Sequence, residues 1–180
     1  MDAPRERLLD ELLVLRCREG SRAALQRLAL RWQERLWRHA HRLTGRPDAA
    51  WDVLQEAWIS IAAGLGRLED PARFGGWAYT IVSRRAVDWR RRSGSTAAEP
   101  LDDGPEPAAP PAEGGGTVEA VRRALHRLPG DQRAVLALRY VDGFDVATVA
   151  AVLGIPEGTV KSRLHTAREH LREIMERTDR

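Results

Sequence analysis

Cysteine and lysine are nearly absent, each occurring once in 180 residues, as Cys17 and Lys161. A single cysteine excludes any disulfide within the chain, and with it the stapled frameworks of small secreted proteins; it suits a reducing cytosol. Phenylalanine, tyrosine and methionine are scarce too, at two residues each. Long hydrophobic runs are missing, since none reaches the roughly 18 apolar residues that a membrane-spanning helix requires. The opening Met1–Arg7 holds no apolar segment of the signal-peptide kind. These absences lead to the expectation of a cytoplasmic chain with no membrane insertion.

What is present is charge, arginine and leucine. Arginine supplies all but one of the 29 basic residues, which stand against 26 acidic ones for a formal charge of +3. The isoelectric point is nevertheless about 9.7. With 43% apolar and 31% charged residues the chain reads as globular, and 180 residues leave room for one ordinary domain or two small ones.

Residues 94–116 divide the chain. These 23 residues hold five Pro, five Gly and five Ala, five acidic residues, no basic one, and Leu101 as their only large apolar side chain. Such a stretch buries too little surface to offset its ordering entropy, so a flexible linker is expected. As a coil it would reach roughly 25 Å, and fully extended about 75 Å. Residues 1–93 then carry a net +6, the linker −5, and residues 117–180 a net +2. Two basic bodies joined by an acidic cord are hidden in the modest total.

Both bodies have helical periodicity. Leu8, Leu9, Leu12 and Leu13 recur at helical spacing, as do Leu25, Leu28, Trp32, Leu36 and Leu43. Thr44-Gly45-Arg46-Pro47 breaks the second helix. A third helix starts near Asp48, with Val53, Leu54, Ala57, Trp58 and Ile61 on one face, and stops at Gly64-Leu65-Gly66. Asp70-Pro71 reads as an N-cap with proline at the first helical position. The helix that follows turns Phe74, Trp77, Ala78, Ile81 and Val82 inward and ends in Arg90-Arg91-Arg92. After the linker, helices are expected at about 117–127, 131–140, 146–153 and 157–176.

Val146–Leu164 has the pattern of a helix-turn-helix. Ala150 is small where two crossing helices touch, Gly154 stands where the turn asks for positive φ, and Val149, Ile155 and Val160 fill the angle between them. Thr159, Lys161, Ser162 and Arg163 then open a helix with hydroxyls and cations outside, suited to a DNA major groove. In the first body, Phe74, Trp77, Tyr79 and Trp89 are interleaved with Arg84, Arg85 and Arg90–Arg92. Flat rings for bases and cations for phosphates are what an unstacked strand needs. By itself this signal is weak: Phe74 and Trp77 at a spacing of three are more often core residues, and Arg90–Arg92 suit a helix C-terminus in its own right.

Catalysis finds no support. An enzyme would need a nucleophile with an activating neighbour, or carboxylates gathered around metal ions. The acidic residues are scattered or lie in the linker. His39 and His41, two apart on a helix, point about 200° apart. His126, His165 and His170 have no cysteine or carboxylate cluster at ligand spacing. Cys17 reads as an inert thiol. No catalytic residue, metal or cofactor is expected.

The order of segments carries a family resemblance. Asp48-Ala49-Ala50-Trp51-Asp52-Val53-Leu54-Gln55-Glu56-Ala57-Trp58 comes first, and Phe74-Gly75-Gly76-Trp77-Ala78-Tyr79-Thr80-Ile81-Val82-Ser83-Arg84-Arg85-Ala86-Val87-Asp88 follows. Beyond the linker, Leu128-Pro129-Gly130-Asp131-Gln132-Arg133 leads into Gly158-Thr159-Val160-Lys161-Ser162-Arg163-Leu164. Over about residues 10–93 and 117–175 this resembles bacterial RNA polymerase sigma factors of the extracytoplasmic-function (ECF) type in the sigma-70 family. That is the minimal form, with regions 2 and 4 only.

The resemblance implies an all-α fold of two small helical domains, a region 2-like bundle (1–93) and a region 4-like helix-turn-helix (117–180), joined by the flexible acidic linker (94–116). It implies a sigma factor that is not an enzyme. Its partners would be core RNA polymerase, through the clamp helices of the largest subunit and the flap of the second largest, and promoter DNA, both duplex and single-stranded. Asp52, Gln55 and Glu56 would dock on polymerase. The loop at Gly66–Arg73, with Arg67 and Arg73, would hold a flipped −10 base. Phe74, Trp77, Arg84, Arg85 and Asp88 would lie in or behind the −10 surface. Thr159, Lys161, Ser162, His165 and Thr166 would face the −35 groove, with Arg163 and Arg168 on phosphates or in packing. The linker would thread toward the polymerase active-site and RNA-exit region. An anti-sigma factor, often membrane-tethered, is the implied inhibitor. Arg84, Thr148 and Thr166 depart from the family pattern, which commonly has Asn, Glu and Arg there.

Energetics fit such a division. Opening DNA costs about 1–2 kcal/mol per base-pair step, whereas one stack or flipped-base pocket returns roughly 1–3 kcal/mol. A 20.1 kDa protein with few such contacts needs a large partner to hold a bubble open. The competing expectation is a free-standing helix-turn-helix regulator that binds duplex DNA and uses the first body to dimerise or sense a ligand. It leaves the first body's motif series without a purpose.

Overall fold

The computed structural model describes residues 3–93, 120–121, 123–125 and 127–178. The expected linker at 94–116, and the start of the helix expected from 117, lie outside the described residues. Every regular element among them is helical, and the chain separates into two compact units, Met1–Ala97 and Ala98–Arg180.

In the first unit, α1 (Ala3–Arg18), α2 (Arg22–Thr44), α3 (Pro47–Gly64) and α4 (Phe74–Arg92) form a bundle. Local chemistry sets their ends. The Ser21 hydroxyl accepts the Ala24 N–H at 3.3 Å to open α2, and Gly45 closes it in the left-handed region at φ 71°. Pro47 begins α3, where a missing N–H costs nothing. The Asp70 carboxylate accepts the Ala72 N–H at 3.0 Å, as its N-cap pattern predicts. It starts a single 3-10 turn, Pro71–Arg73, and α4 proper begins only at Phe74.

The core is built from Leu28 and Leu36 of α2, Val53, Leu54, Ala57 and Ile61 of α3, and Phe74, Ala78, Tyr79, Val82 and Ala86 of α4. Trp32 meets Phe74 edge-on at 5.4 Å and Tyr79 at 6.5 Å between ring centroids. Trp77 and Ile81, expected inward, are only half-buried. On α1 the leucines split: Leu13 is buried, while Leu8, Leu9 and Leu12 remain exposed.

The second unit opens with helical residues 120–121 and 123–125, followed by α5 (Gly130–Leu136), one π-helical turn (Ala137–Val141), α6 (Val146–Leu153) and α7 (Glu157–Thr178). The helix expected over 131–140 thus changes pitch after Leu136. Asp145 caps α6 by accepting the Thr148 N–H at 2.7 Å. Gly154 takes φ 66° and returns its N–H to Ala150, closing α6 and turning the chain into α7. Val149, Ala150 and Val160 are buried in the angle, and Ile155 is half-buried.

His39 is a titratable side chain enclosed in the first core. His39 is 1% exposed, its Nε2 lies 2.8 Å from the Ser83 hydroxyl, and its ring is 4.7 Å from that of Tyr79. Burial first, and the charge of Arg42 second, hold its pKa well below the ordinary 6.5. Because the unfolded chain takes up this proton near pH 6.5 and the folded one does not, the contribution is complete above that pH and is lost as pH falls below it. Thermal unfolding followed between about pH 7.5 and 5 should show a falling midpoint. The fall should be shallower in His39→Gln, and an equal slope in both proteins would contradict the assignment.

Candidate nucleic-acid interface

The buried residues of α4 fix which of its side chains face out. Gly75, Ala78, Tyr79, Val82 and Ala86 point into the bundle. Trp77, Arg84 and Arg91 recur at seven-residue steps on the opposite side, about 10.5 Å apart along the axis. Arg84 and Arg91 are exposed and make no ion pair among the described residues.

A second row of arginines faces α3 instead. Arg85 donates to the Ser60 hydroxyl through Nη2 at 2.7 Å and Nε at 3.2 Å, and approaches Asp88 at 4.0 Å. Arg92 pairs with Glu56 at 2.7 Å. Neutralised and hydrogen-bonded, this row staples α4 to α3 and leaves the outer row as unneutralised charge.

The loop before α4 rests on buried Leu65 and Leu68 and presents Arg67 and Arg73 to solvent. Arg73 approaches Asp70 at 3.6 Å. Arg67 and Arg73 of the loop and Arg84 and Arg91 of α4 are thus exposed cations, and the Trp77 indole on the outer row is half-buried. Phe74 does not belong to that outer row. It is 1% exposed and wedged against Trp32, so the reading of Phe74 as a −10 contact is corrected to a core residue beneath the surface. Tyr79 is likewise buried. The spacing of the two rings suits core and stacking aromatics alike, and packing against Trp32 is what assigns both to the core.

Asp52 and Gln55 are exposed on the outer side of α3, between Trp51 at 44% exposure and Ile59 at 72%. Glu56 is half-buried and engaged by Arg92.

On α7, Val160, Leu164 and Ala167 are buried, which turns Lys161, Ser162, His165 and Thr166 outward together. The Ser162 hydroxyl donates to the Thr159 carbonyl at 3.0 Å, and Thr159 is half-buried. Arg163 points back toward α5, with Nε 3.4 Å from Asp131. Arg168 is exposed, but its Nε donates to the Leu164 carbonyl at 3.1 Å. His170 Nδ1 lies 3.0 Å from Oε1 of Gln132, a residue only 9% exposed. Gln132 and Asp131 therefore brace the outward helix, a role with no mark in the sequence beyond polarity. Arg91, by contrast, was legible from its step of seven after Arg84.

Among the described residues no group of three or more His, Cys, Asp or Glu could hold a metal, and no helix is long and apolar enough to cross a membrane. Burial raises the Cys17 pKa, which disfavours the reactive thiolate.

The Sigma-70 region 2 family matches residues 28–96 and the Sigma-70 region 4 family residues 118–171. The ECF RNA polymerase sigma factor SigM of Mycobacterium tuberculosis is 38% identical over 160 residues, covering 87% of this chain and 79% of SigM. The chain belongs to the ECF sigma factor family. The Escherichia coli ECF RNA polymerase sigma-E factor is 29% identical, over 91% of this chain and 93% of its own length. Among solved structures, the sigma factor RpoE of Bartonella quintana, in complex with the anti-sigma factor NepR, aligns with TM-score 0.62 and 27% identity. That alignment covers 84% of this chain and 96% of RpoE. As an ECF sigma factor, the protein directs the initiation of transcription by RNA polymerase and is not an enzyme.

The two arginine rows of this sigma factor should separate by mutation. Arg85→Ala removes two hydrogen bonds between α3 and α4 and should lower stability by about 1 kcal/mol, a shift of a few degrees in the unfolding midpoint. Arg84→Ala should leave the stability unchanged to within about 0.5 kcal/mol. Calorimetry of the two variants checks the assignment, and equal losses would refute it.

Proposed function

We propose that the two units divide one promoter between them. The first unit docks on core polymerase through the outer side of α3, with Asp52 and Gln55 in contact with the clamp helices of the largest subunit. Its loop at 65–73 and the outer row of α4 hold the melted strand of the −10 element. Trp77 supplies a flat face for a base, and Arg67, Arg73, Arg84 and Arg91 supply charge for phosphates. Asp88 and Arg85 lie behind this surface and maintain it. The second unit places α7 in the major groove at −35, with Lys161, Ser162, His165 and Thr166 toward base edges and Arg168 near the backbone. It also touches the flap of the second-largest subunit.

The observation that carries this reading is the segregation of arginines on α4. Of its five arginines, Arg85 and Arg92 are tied to α3 while Arg84 and Arg91 face outward in line with an indole, and a merely solvated face has no reason to sort its charges so. An anti-sigma factor is the proposed inhibitor, supported by the sigma–anti-sigma complex of RpoE. Residues 94–116 join the two units as an acidic tether. The protein would then work in the cytoplasm and reach a membrane only through such an inhibitor.

Run-off transcription with core polymerase over a genomic promoter library tests the division. Promoter-dependent initiation is expected with this protein as the only sigma, and activity solely beside another sigma would overturn it. Lys161→Ala should flatten the salt dependence of promoter binding by about one unit of slope. His165→Ala should instead change the preferred −35 sequence. Identical effects of these two substitutions on every promoter would refute the sorting of contacts on α7.

A further inference from the structure

Gly64, the last residue of α3, has φ −93° and ψ −13°, a conformation open to any L-residue. The backbone therefore does not require glycine there. Space does. A Cβ built at Gly64 would lie 2.9 Å from Cζ2 and 3.3 Å from Cη2 of Trp77. By contrast, a Cβ at Gly66, two residues on, would meet nothing within 4 Å. The Trp77 indole leaves the outer side of α4 and leans sideways until its benzo edge rests on the bare Cα of Gly64.

The ring also has an aromatic neighbour on its own helix. Phe74 flanks Trp77 at 6.2 Å between centroids, and Phe74 is itself held edge-on by Trp32 at 5.4 Å. A chain of rings thus runs from the core to the foot of the loop at 65–73, and its last member is seated on a glycine. A methyl group at position 64 must push the indole and the end of α3 apart.

We propose that Gly64 is a positioning residue for promoter opening: it seats Trp77 at the foot of loop 65–73 and so sets the height of the surface that receives the melted strand. The inference rests on the reading of Trp77 as part of the −10 surface, and the two can fail separately.

The test uses Gly64→Ala, Trp77→Phe and the double variant, each as full-length protein assembled with core polymerase. Permanganate reactivity of promoter thymines reports opening. Fluorine NMR of 5-fluorotryptophan-labelled protein reports ring position, the Trp77 signal being identified by its loss in Trp77→Phe. In Gly64→Ala the Trp77 resonance should move while those of the distant tryptophans stay. Opening should fall about tenfold, on the scale of one weakened base stack. Assembly with core and the unfolding midpoint should be retained, since alanine is the better helix former.

Phenylalanine lacks the benzo edge, so Gly64→Ala should cost nothing further in the Trp77→Phe background. An unmoved Trp77 resonance, or additive losses in the double variant, would overturn the inference. So would normal opening in Gly64→Ala when Trp77→Phe is defective. Normal opening in Trp77→Phe as well would overturn the −10 reading of Trp77 itself, even with the resonance displaced.

Discussion

The rotation of α4 about its own axis is the constraint on which the first unit depends. Phe74, Ala78, Tyr79, Val82 and Ala86 are buried to 1% or less of their surface, and a helix with five such side chains can face only one way. Burial of this kind contributes roughly 1.5–3 kcal/mol for each large apolar side chain, more than any exposed ion pair. The hydrogen bonds from Arg85 to Ser60 and the pair between Arg92 and Glu56 then select between small deviations from that setting. Arg84 and Arg91 face outward because the opposite side of the helix has no alternative, and Trp77 starts from the same side before its ring leans onto Gly64.

The second unit obeys the same logic with less material. Val160, Leu164 and Ala167 commit one side of α7 to α5 and α6, and Gly154 provides the left-handed turn that brings α7 across. Asp131 on Arg163 and Gln132 on His170 add polar braces from α5. Arg163 is held toward α5 by this brace, while Lys161, Ser162, His165 and Thr166 are exposed polar side chains near the start of α7. Rigid support beneath a short row of polar side chains is what groove readout requires.

Sequence patterns located most helices to within a few residues because their ends are local events. Ser21, Gly45, Pro47, Asp70 and Gly154 each act on backbone groups no more than a few positions away. They were less informative where pitch or packing intervened. The π-helical turn at Ala137–Val141 has no distinct residue signature, and the exposed Leu8 and Leu12 of α1 share the spacing of buried Leu13. The double reading of Phe74, as core and as a −10 contact, has a related cause. An aromatic beside arginines has the same spelling whether its ring enters the core or meets a base, and only its neighbours in space decide.

By itself the sequence determined the helical class, the two basic bodies, the helix-turn-helix and the family, since each is written in residues close together along the chain. The tertiary structure decided how the charges are used. It paired Arg85 and Arg92 with residues 25 and 36 positions away, left Arg84 outward, returned Arg163 to Asp131, and placed Trp77 over Gly64. Contacts between residues so far apart depend on how whole helices dock, which burial of the core sets and which no local spacing can encode.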